Sequence, residues 1–221
     1  MADLSVVQEY MLCAVNDKGV ISAMDTDKQV CLVAAGLLEL QLEGCIAIEG
    51  KILRAAAPLP ENRPYLKSLD DFIREKGTMK VSALVEAYCL SLTDKRLWAL
   101  WDAVGQSLVS LGLAEAGKAG LLGSKTAYVP RREAVGSVVE MLRAEVLEDG
   151  TMTEDAAALT VLLERGKCLK PYFSAFEQKE IREKLRRITA SPEGRLVKEM
   201  AEYVEVILAA AVSGAVASGA V

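Results

Sequence analysis

Apolar side chains recur along most of the chain at the three- to four-residue spacing of helices that bury one face. The first such segment runs from Asp3 to Val15, and the second runs from Val30 to Leu42 and ends at Gly44. The second segment is apolar on more than one face, which indicates a helix that lies inside the fold. Further helices are predicted at residues 65–75, 79–90, 94–111, 132–148, 153–165, 177–188 and from 192 to the end.

Two stretches depart from the helical spacing and are predicted to be β-hairpins. Residues 45–55 alternate about Glu49-Gly50, and residues 113–129 are punctuated by glycine and followed by Pro130. Short hairpins between long helices indicate a mainly α fold. We therefore predict a single helical domain over residues 1–221, with a central helical core and small β-hairpins.

Glycine follows three of the predicted helices and precedes a short apolar extension each time. These glycines are Gly44, Gly112 and Gly166. Because glycine adopts the left-handed conformation without steric cost, we expect each one to be the residue that ends its helix. The irregular spacing of the three excludes a solenoid repeat.

The composition excludes several classes of protein. Hydrophobic residues make up 52% of the chain, which excludes intrinsic disorder. Histidine is absent, which removes Ser-His-Asp catalysis, Cys-His catalysis and histidine zinc sites. No phosphate-binding glycine loop, zinc-protease motif or serine-hydrolase motif occurs. We predict a protein that is not an enzyme and holds no metal or cofactor, and the net charge of −5 disfavours a nucleic-acid partner.

The cysteines and the chain ends bear on the compartment. Five cysteines lie far apart without a CxxC pair, several of them in apolar helical segments, so we predict buried, reduced thiols in a cytoplasmic protein. The first residues lack the basic start of a secretory signal. The apolar stretch 206–221 has 16 residues, fewer than the roughly 20 that cross a bilayer, and is predicted to be a helix packed on the body.

One alternative fold follows from the order of the elements. A helix followed by a hairpin is also the order found in winged-helix domains, which bind nucleic acid or act as regulatory interaction modules. In that alternative the helix at residues 94–111 would be the recognition helix. Its basic residues are limited to Lys95 and Arg96, which is few for a helix that contacts phosphates.

The order of several segments carries a resemblance to a known family. The segments are MLCAVNDKG, LVAAGLLELQLEGCIAIEGKIL, LDDFIREKG, SLVSLGLAEA and ALTVLLERGKCLKPYF, followed by an alanine-rich C-terminal segment. Over nearly its whole length the chain resembles the Golgi phosphoprotein 3 family. The resemblance implies a predominantly helical single domain with an oligomer-forming hairpin. It also implies a peripheral membrane adaptor that binds phosphatidylinositol 4-phosphate, as eukaryotic members do.

The chain departs from the family at the lipid pocket. The family's pocket uses a tryptophan and an arginine near the start of the second helix and two arginines on the later long helix. These positions hold Met24, Val33, Trp98 and Trp101 here, so no pocket residue is carried over. We also expect no basic arm before the domain, and both departures favour a divergent, prokaryotic-type member.

Lipid contact is nevertheless predicted for three residues of the long helix, Lys95, Trp98 and Trp101. Indole rings suit the membrane interface, and lysine attracts anionic phospholipid head groups. The alternative that both tryptophans are core or subunit contacts stays open. The hairpin at residues 113–129 is predicted to carry self-association or membrane contact through Leu121 and Leu122. The protein would then be cytoplasmic and peripheral on membranes.

Overall fold

The computed structural model describes residues 4–89, 95–119, 125–147, 152–191, 198, 201–202, 204–206 and 208–209. Helices dominate this part of the chain, and the predicted mainly α fold is confirmed. The α-helices are α1 Val6–Ala14, α2 Thr26–Leu42, α3 Lys67–Lys76, α4 Val81–Cys89, α5 Lys95–Ser110, α6 Arg132–Leu147, α7 Glu154–Arg165 and α8 Ala175–Ala190. The strands are β1 Ile46–Glu49, β2 Ile52–Ala55, β3 Thr78–Lys80, β4 Ala114–Ala119 and β5 Lys125–Pro130.

Helix α2 is the centre of the fold. Every residue from Val30 to Leu40 is buried, so the helix has no face in solvent along these three turns. Helices α1 and α7 pack against it, as do α4, α5 and β1. The prediction of a central second helix is confirmed, because side chains that are apolar on all faces need neighbours on all faces.

The first sheet contains a strand that the apolar spacing did not predict. Strands β1, β2 and β3 pair antiparallel in that order, with Leu53 opposite Met79. The helix predicted from residue 79 therefore starts at Val81. Gly77 adopts a φ of +69° at the end of α3 and turns the chain back along the hairpin. A three-residue strand is too short to show an alternating pattern, which explains the error.

The second sheet is the hairpin of β4 and β5, which packs on α5. Its prediction over residues 113–129 is confirmed for the described strands. The ring of Tyr128 lies directly over Gly105 of α5, where any side chain would collide with it. On the other side, the N–H of Tyr128 donates to the carbonyl of Gly19 at 2.8 Å. One tyrosine thus fixes the hairpin between α5 and the loop after α1.

The three helix-ending glycines divide into two kinds. Gly44 and Gly112 adopt φ values of +69° and +71°, as predicted. The prediction is wrong for Gly166, whose φ is −73°; the left-handed residue is Lys167, with a φ of 58°. Gly166 instead leaves room for Tyr10, because a Cβ there would lie 2.5 Å from the tyrosine hydroxyl oxygen. Close packing, not backbone conformation, requires this glycine.

The C-terminal helical residues (201–202, 204–206 and 208–209) complete the described fold. Val204 is fully buried among them, as expected for a helix packed on the body. Most of the apolar stretch 206–221 lies outside the described residues. In the part of the chain that the structure describes, no helix combines the length and the apolar character needed to cross a membrane.

We predict that Gly166→Ala lowers the free energy of unfolding by about 1–3 kcal/mol, the usual cost of an overpacked core. The measurement is the midpoint of urea unfolding. Adding Tyr10→Phe removes the hydroxyl that the new methyl group meets. The double variant should therefore lose less stability than the sum of the two single variants.

Gly136→Ala is the matched control for this prediction. Gly136 lies inside α6 with open space around it, so alanine there should stabilise the protein by about 0.5–1 kcal/mol through its higher helix propensity. If Gly166→Ala also stabilised the protein, the close approach of Tyr10 would not be the reason for the glycine.

Candidate functional site

The predicted lipid-contact residues lie on the first two turns of α5. Lys95 is exposed, Trp98 is half-buried, and Trp101 has only 2% of its surface exposed. Their three-residue spacing stacks them along one side of the helix. The two indole rings meet edge to face, with centroids 6.0 Å apart and planes at 79°. Side-chain exposure therefore decreases along this side of α5, from the solvated cation of Lys95 at its start to the core residue Trp101 two turns later.

Trp101 is a packing residue in this structure. Its indole N–H donates to the carbonyl oxygen of Thr126 at 3.3 Å, and its ring lies 6.0 Å from the ring of Tyr128. The tryptophan therefore anchors the hairpin on α5, as in the alternative that assigned it to the core. Lipid contact by Trp101 stays a prediction, and the burial of its ring counts against it.

A cation that was not predicted joins the site from the hairpin. The ammonium group of Lys125, the first residue of β5, lies 4.1 Å from the centroid of the Trp98 ring. This distance is typical of a cation–π interaction. No local pattern links Lys125 to Trp98, because their contact depends on how the hairpin docks on α5. Lys95, Trp98 and Lys125 form what we call the α5 patch.

The other positions aligned with the family's lipid pocket add no cation. Val33 is fully buried in α2, and Met24 is 89% exposed in the loop before it. Arg96 lies beside Lys95 in sequence, but its guanidinium stacks on the ring of Phe72, with 4.7 Å from its central carbon to the ring centroid. The α5 patch therefore offers lysine ammonium groups and an indole, without an arginine fork.

The tip of the second hairpin lies outside the described residues. Leu121 and Leu122 belong to residues 120–124, so the structure gives no account of the predicted apolar contact. The flanking strands are described in register from Ala114 opposite Pro130 to Ala119 opposite Lys125.

Comparison with known families bears on the whole chain. The model of the Golgi phosphoprotein 3 family matches residues 6–207, which is nearly the full length. The chain belongs to the Golgi phosphoprotein 3 family. The resemblance found in the sequence segments is thereby confirmed. No curated protein matches the chain. The Golgi phosphoprotein 3 family is not a known enzyme family.

The strand pairing bears on the winged-helix alternative. The order α3, β3, α4, α5, β4, β5 is the order of such a domain, in which the first strand joins the hairpin in one sheet. Here β3 pairs with β2, while β4 and β5 pair with each other among the described strands. In this member of the Golgi phosphoprotein 3 family the described strands thus do not form a winged-helix sheet.

One buried carboxylate in this Golgi phosphoprotein 3 family member stands out. Glu39 of α2 is 3% exposed and accepts a hydrogen bond from the hydroxyl of Tyr65 at 2.6 Å. The guanidinium of Arg63 lies between Glu39 and Glu43, at 3.0 and 2.9 Å. Burial raises the pKa of Glu39, and this effect outweighs the lowering by Tyr65 and Arg63. Its two oxygens accept hydrogen bonds from the hydroxyl of Tyr65 and the N–H of Val7, so we assign Glu39 to the core.

The thiols also lie in the core. All five cysteines are buried, as predicted, and none forms a disulfide in the structure. Burial raises the pKa of the Cys31 thiol to about 12, and the pKa of Cys168 is raised for the same reason. A thiol that stays protonated is a poor nucleophile and a poor metal ligand. Among the described residues, no group of three cysteine or carboxylate side chains comes together as a metal site.

We predict that Glu39→Gln changes how stability depends on pH. Because burial holds the pKa of Glu39 above its ordinary 4.5, the folded protein binds this proton more readily than the unfolded chain. The stability of the wild type relative to Glu39→Gln should therefore be greatest below about pH 4.5 and fall as the pH rises through the folded pKa. Urea unfolding of both proteins between about pH 4 and about pH 8 measures this difference.

Tyr65→Phe provides the check on this interpretation. It removes the hydroxyl that stabilises the charged form of Glu39, so the pKa of Glu39 should rise further, and the fall in stability should be larger and extend to higher pH. A wild type that gains stability over Glu39→Gln with rising pH would show that the ion pair with Arg63 outweighs the cost of burial.

Proposed function

We propose that the protein is a non-enzymatic, peripheral membrane protein of the cytoplasm that contacts anionic phospholipid head groups through the α5 patch. The observation that carries the proposal is Lys125 held over the half-buried ring of Trp98, with Lys95 one turn away on the same helix. The membership of the Golgi phosphoprotein 3 family supports it.

The chemistry of the α5 patch suits a charged membrane surface. Each lysine near an anionic surface contributes about 1 kcal/mol of attraction at physiological ionic strength. An indole ring favours the level of the head groups, where its apolar face and its N–H are both accommodated. Trp98 is the ring of the pair that reaches solvent, so it is the side chain that would enter this layer.

Phosphatidylinositol 4-phosphate is the lipid that the family resemblance implies for this protein. Its phosphate carries the charge that two lysines attract. Lysine is a point charge and does not present the rigid two-donor fork with which arginine recognises phosphate. The α5 patch should therefore bind this lipid but discriminate it from other anionic lipids less than a site with arginines would.

We predict that the purified protein co-sediments with anionic liposomes and not with neutral ones. Three compositions are compared: neutral lipid, generally anionic lipid, and lipid containing phosphatidylinositol 4-phosphate. Lys95→Gln with Lys125→Gln should weaken binding to both anionic compositions by about tenfold or more, from the loss of roughly 2 kcal/mol. Trp98→Ala should weaken binding as well, since it removes the interfacial ring.

The matched control for charge is Lys170→Gln with Lys179→Gln. Both lysines are exposed, Lys170 after α7 and Lys179 on α8, and neither belongs to the α5 patch, so their loss should leave sedimentation unchanged. If the wild type bound no composition, or if the α5-patch variants bound as well as the wild type, the proposal would fail. The search would then turn to protein partners.

We also propose self-association through the hairpin at residues 113–129. The exposed edge of β4 supports this proposal. Strand β4 is exposed along most of its length, and among the described strands it pairs only with β5. An unpaired strand edge presents N–H and carbonyl groups that can pair with a second copy. The family resemblance implies an oligomer-forming hairpin at the same place.

We predict that Leu121→Ser with Leu122→Ser lowers the molar mass measured by light scattering after size-exclusion chromatography. The double change removes the apolar pair of the hairpin sequence. Leu111→Ser is the control, because Leu111 is a 46% exposed leucine outside the hairpin strands. Unchanged mass together with unchanged liposome binding in the double variant would rule out both roles for the hairpin tip.

A further inference from the structure

A cavity of about 700 Å³, which shares no described lining residue with the α5 patch, lies between the first sheet and the C-terminal helical residues. Cavities of roughly 300–1,000 Å³ are the size that holds small ligands. Its lining comes from the β1–β2 turn, β2, β3, the start of α4 and the C-terminal helical residues. The lining residues are Lys51, Ile52, Lys80, Ser82, Glu205, Val206 and Ala209. We call it the Lys51–Lys80 cavity.

The strand pairing explains why two lysines reach this cavity together. Ile52 of β2 stands directly opposite Lys80 of β3, and directly opposite residues project from the same face of a sheet. The N–H of Val81 donates to the carbonyl of Lys51 at 3.0 Å. The pairing of the two segments therefore continues in the same register one residue beyond Ile52 and Lys80. Lys51 and Lys80 are thus neighbours of Ile52 along the chain and across the two strands, and all three residues line the cavity.

The floor of the cavity is apolar. Ile52 is 41% exposed there, although isoleucine is a residue that folding usually buries. Val206 and Ala209 face it from the C-terminal helical residues. An isoleucine left open between two lysines provides an apolar surface for the tail of a ligand whose head meets the lysines.

The charges around the cavity leave the lysines available. Neither Lys51 nor Lys80 has a carboxylate partner within the part of the chain that the structure describes. Glu205, the acidic residue of the lining, forms an ion pair with Arg165. Glu49, opposite Ile52 on β1, forms one with Arg54. The ionisable lining residues thus have a formal surplus of one positive charge, which matches a ligand with a single negative charge.

We propose that the Lys51–Lys80 cavity binds a single-chain anionic amphiphile of the fatty-acid type, with its carboxylate between the two lysines and its tail on Ile52 and Val206. A monovalent carboxylate fits better than a phosphate group. The lining already contains one acid, Glu205, which would repel a second negative charge on the ligand. This site is separate from the α5 patch and takes a free amphiphile rather than a bilayer surface.

The test is isothermal titration calorimetry of the full chain with three probes that share a ten-carbon tail. The two charged probes are kept below their micelle concentrations and the alcohol below its solubility limit. The probes are decanoate, 1-decanol and decyltrimethylammonium, which carry a negative, a neutral and a positive head. We expect decanoate to bind with one molecule per chain and about tenfold more tightly than the other two, since only its carboxylate can form ion pairs with the two exposed lysines.

Two variants locate the binding in the cavity. Lys51→Gln with Lys80→Gln should reduce the affinity for decanoate to that for decanol, and Ile52→Ser should weaken the binding of all three probes. All three positions are exposed, and thermal unfolding of each variant confirms that the fold is kept. Lys95→Gln with Lys125→Gln, the α5-patch variant, should bind decanoate as the wild type does.

The outcomes separate this proposal from the proposed function. No binding of decanoate, equal binding of the three probes, or wild-type affinity in the Lys51 and Lys80 variant would overturn the cavity proposal. None of these results bears on liposome sedimentation. Conversely, a loss of liposome binding in the α5-patch variant alone leaves the cavity proposal intact.

Discussion

The burial of α2 on every side is the constraint on which the rest of the architecture depends. A helix with no solvent face has to be enclosed, and α1, α7, α4, α5 and β1 enclose it. The exception within α2 is Glu39, a carboxylate among apolar neighbours, which needs hydrogen-bond and charge partners to be tolerated there. Tyr65 and Arg63 supply them and thereby attach the segment before α3 to the core.

The hairpin of β4 and β5 determines what α5 presents to solvent. Tyr128 over Gly105, together with Trp101, holds the hairpin against the helix. As a result Lys125 lies over Trp98, and the cationic character of the α5 patch comes from two different elements. The resemblance to the Golgi phosphoprotein 3 family implies arginines at the positions where this chain has the two tryptophans. In this chain the two positions hold indole rings that pack in the structure, and the positive charges lie on the neighbouring residues Lys95 and Lys125.

Much of the fold was predictable because it rests on short-range patterns. The helical spacing located α2 and its central position, and the alternation about Glu49-Gly50 located the first hairpin. The failures all involve contacts between distant segments. Strand β3 exists because β2 is beside it, Gly166 is required by Tyr10, and Lys125 meets Trp98 through hairpin docking. In the candidate site, helical spacing correctly placed Lys95 and Trp98 on one side of α5. No local sequence pattern identified Lys125.

The positions of the five buried thiols make it possible to follow local unfolding of the protein. Cys13 lies in α1, Cys31 in α2, Cys89 at the end of α4, and Cys45 and Cys168 in the turns before β1 and after α7. A protonated thiol inside the core reacts with an alkylating reagent only after its surroundings separate. The order in which the five positions become labelled therefore reports the order in which the core comes apart. The five native cysteines thus serve as probes of local unfolding, and no probe has to be introduced.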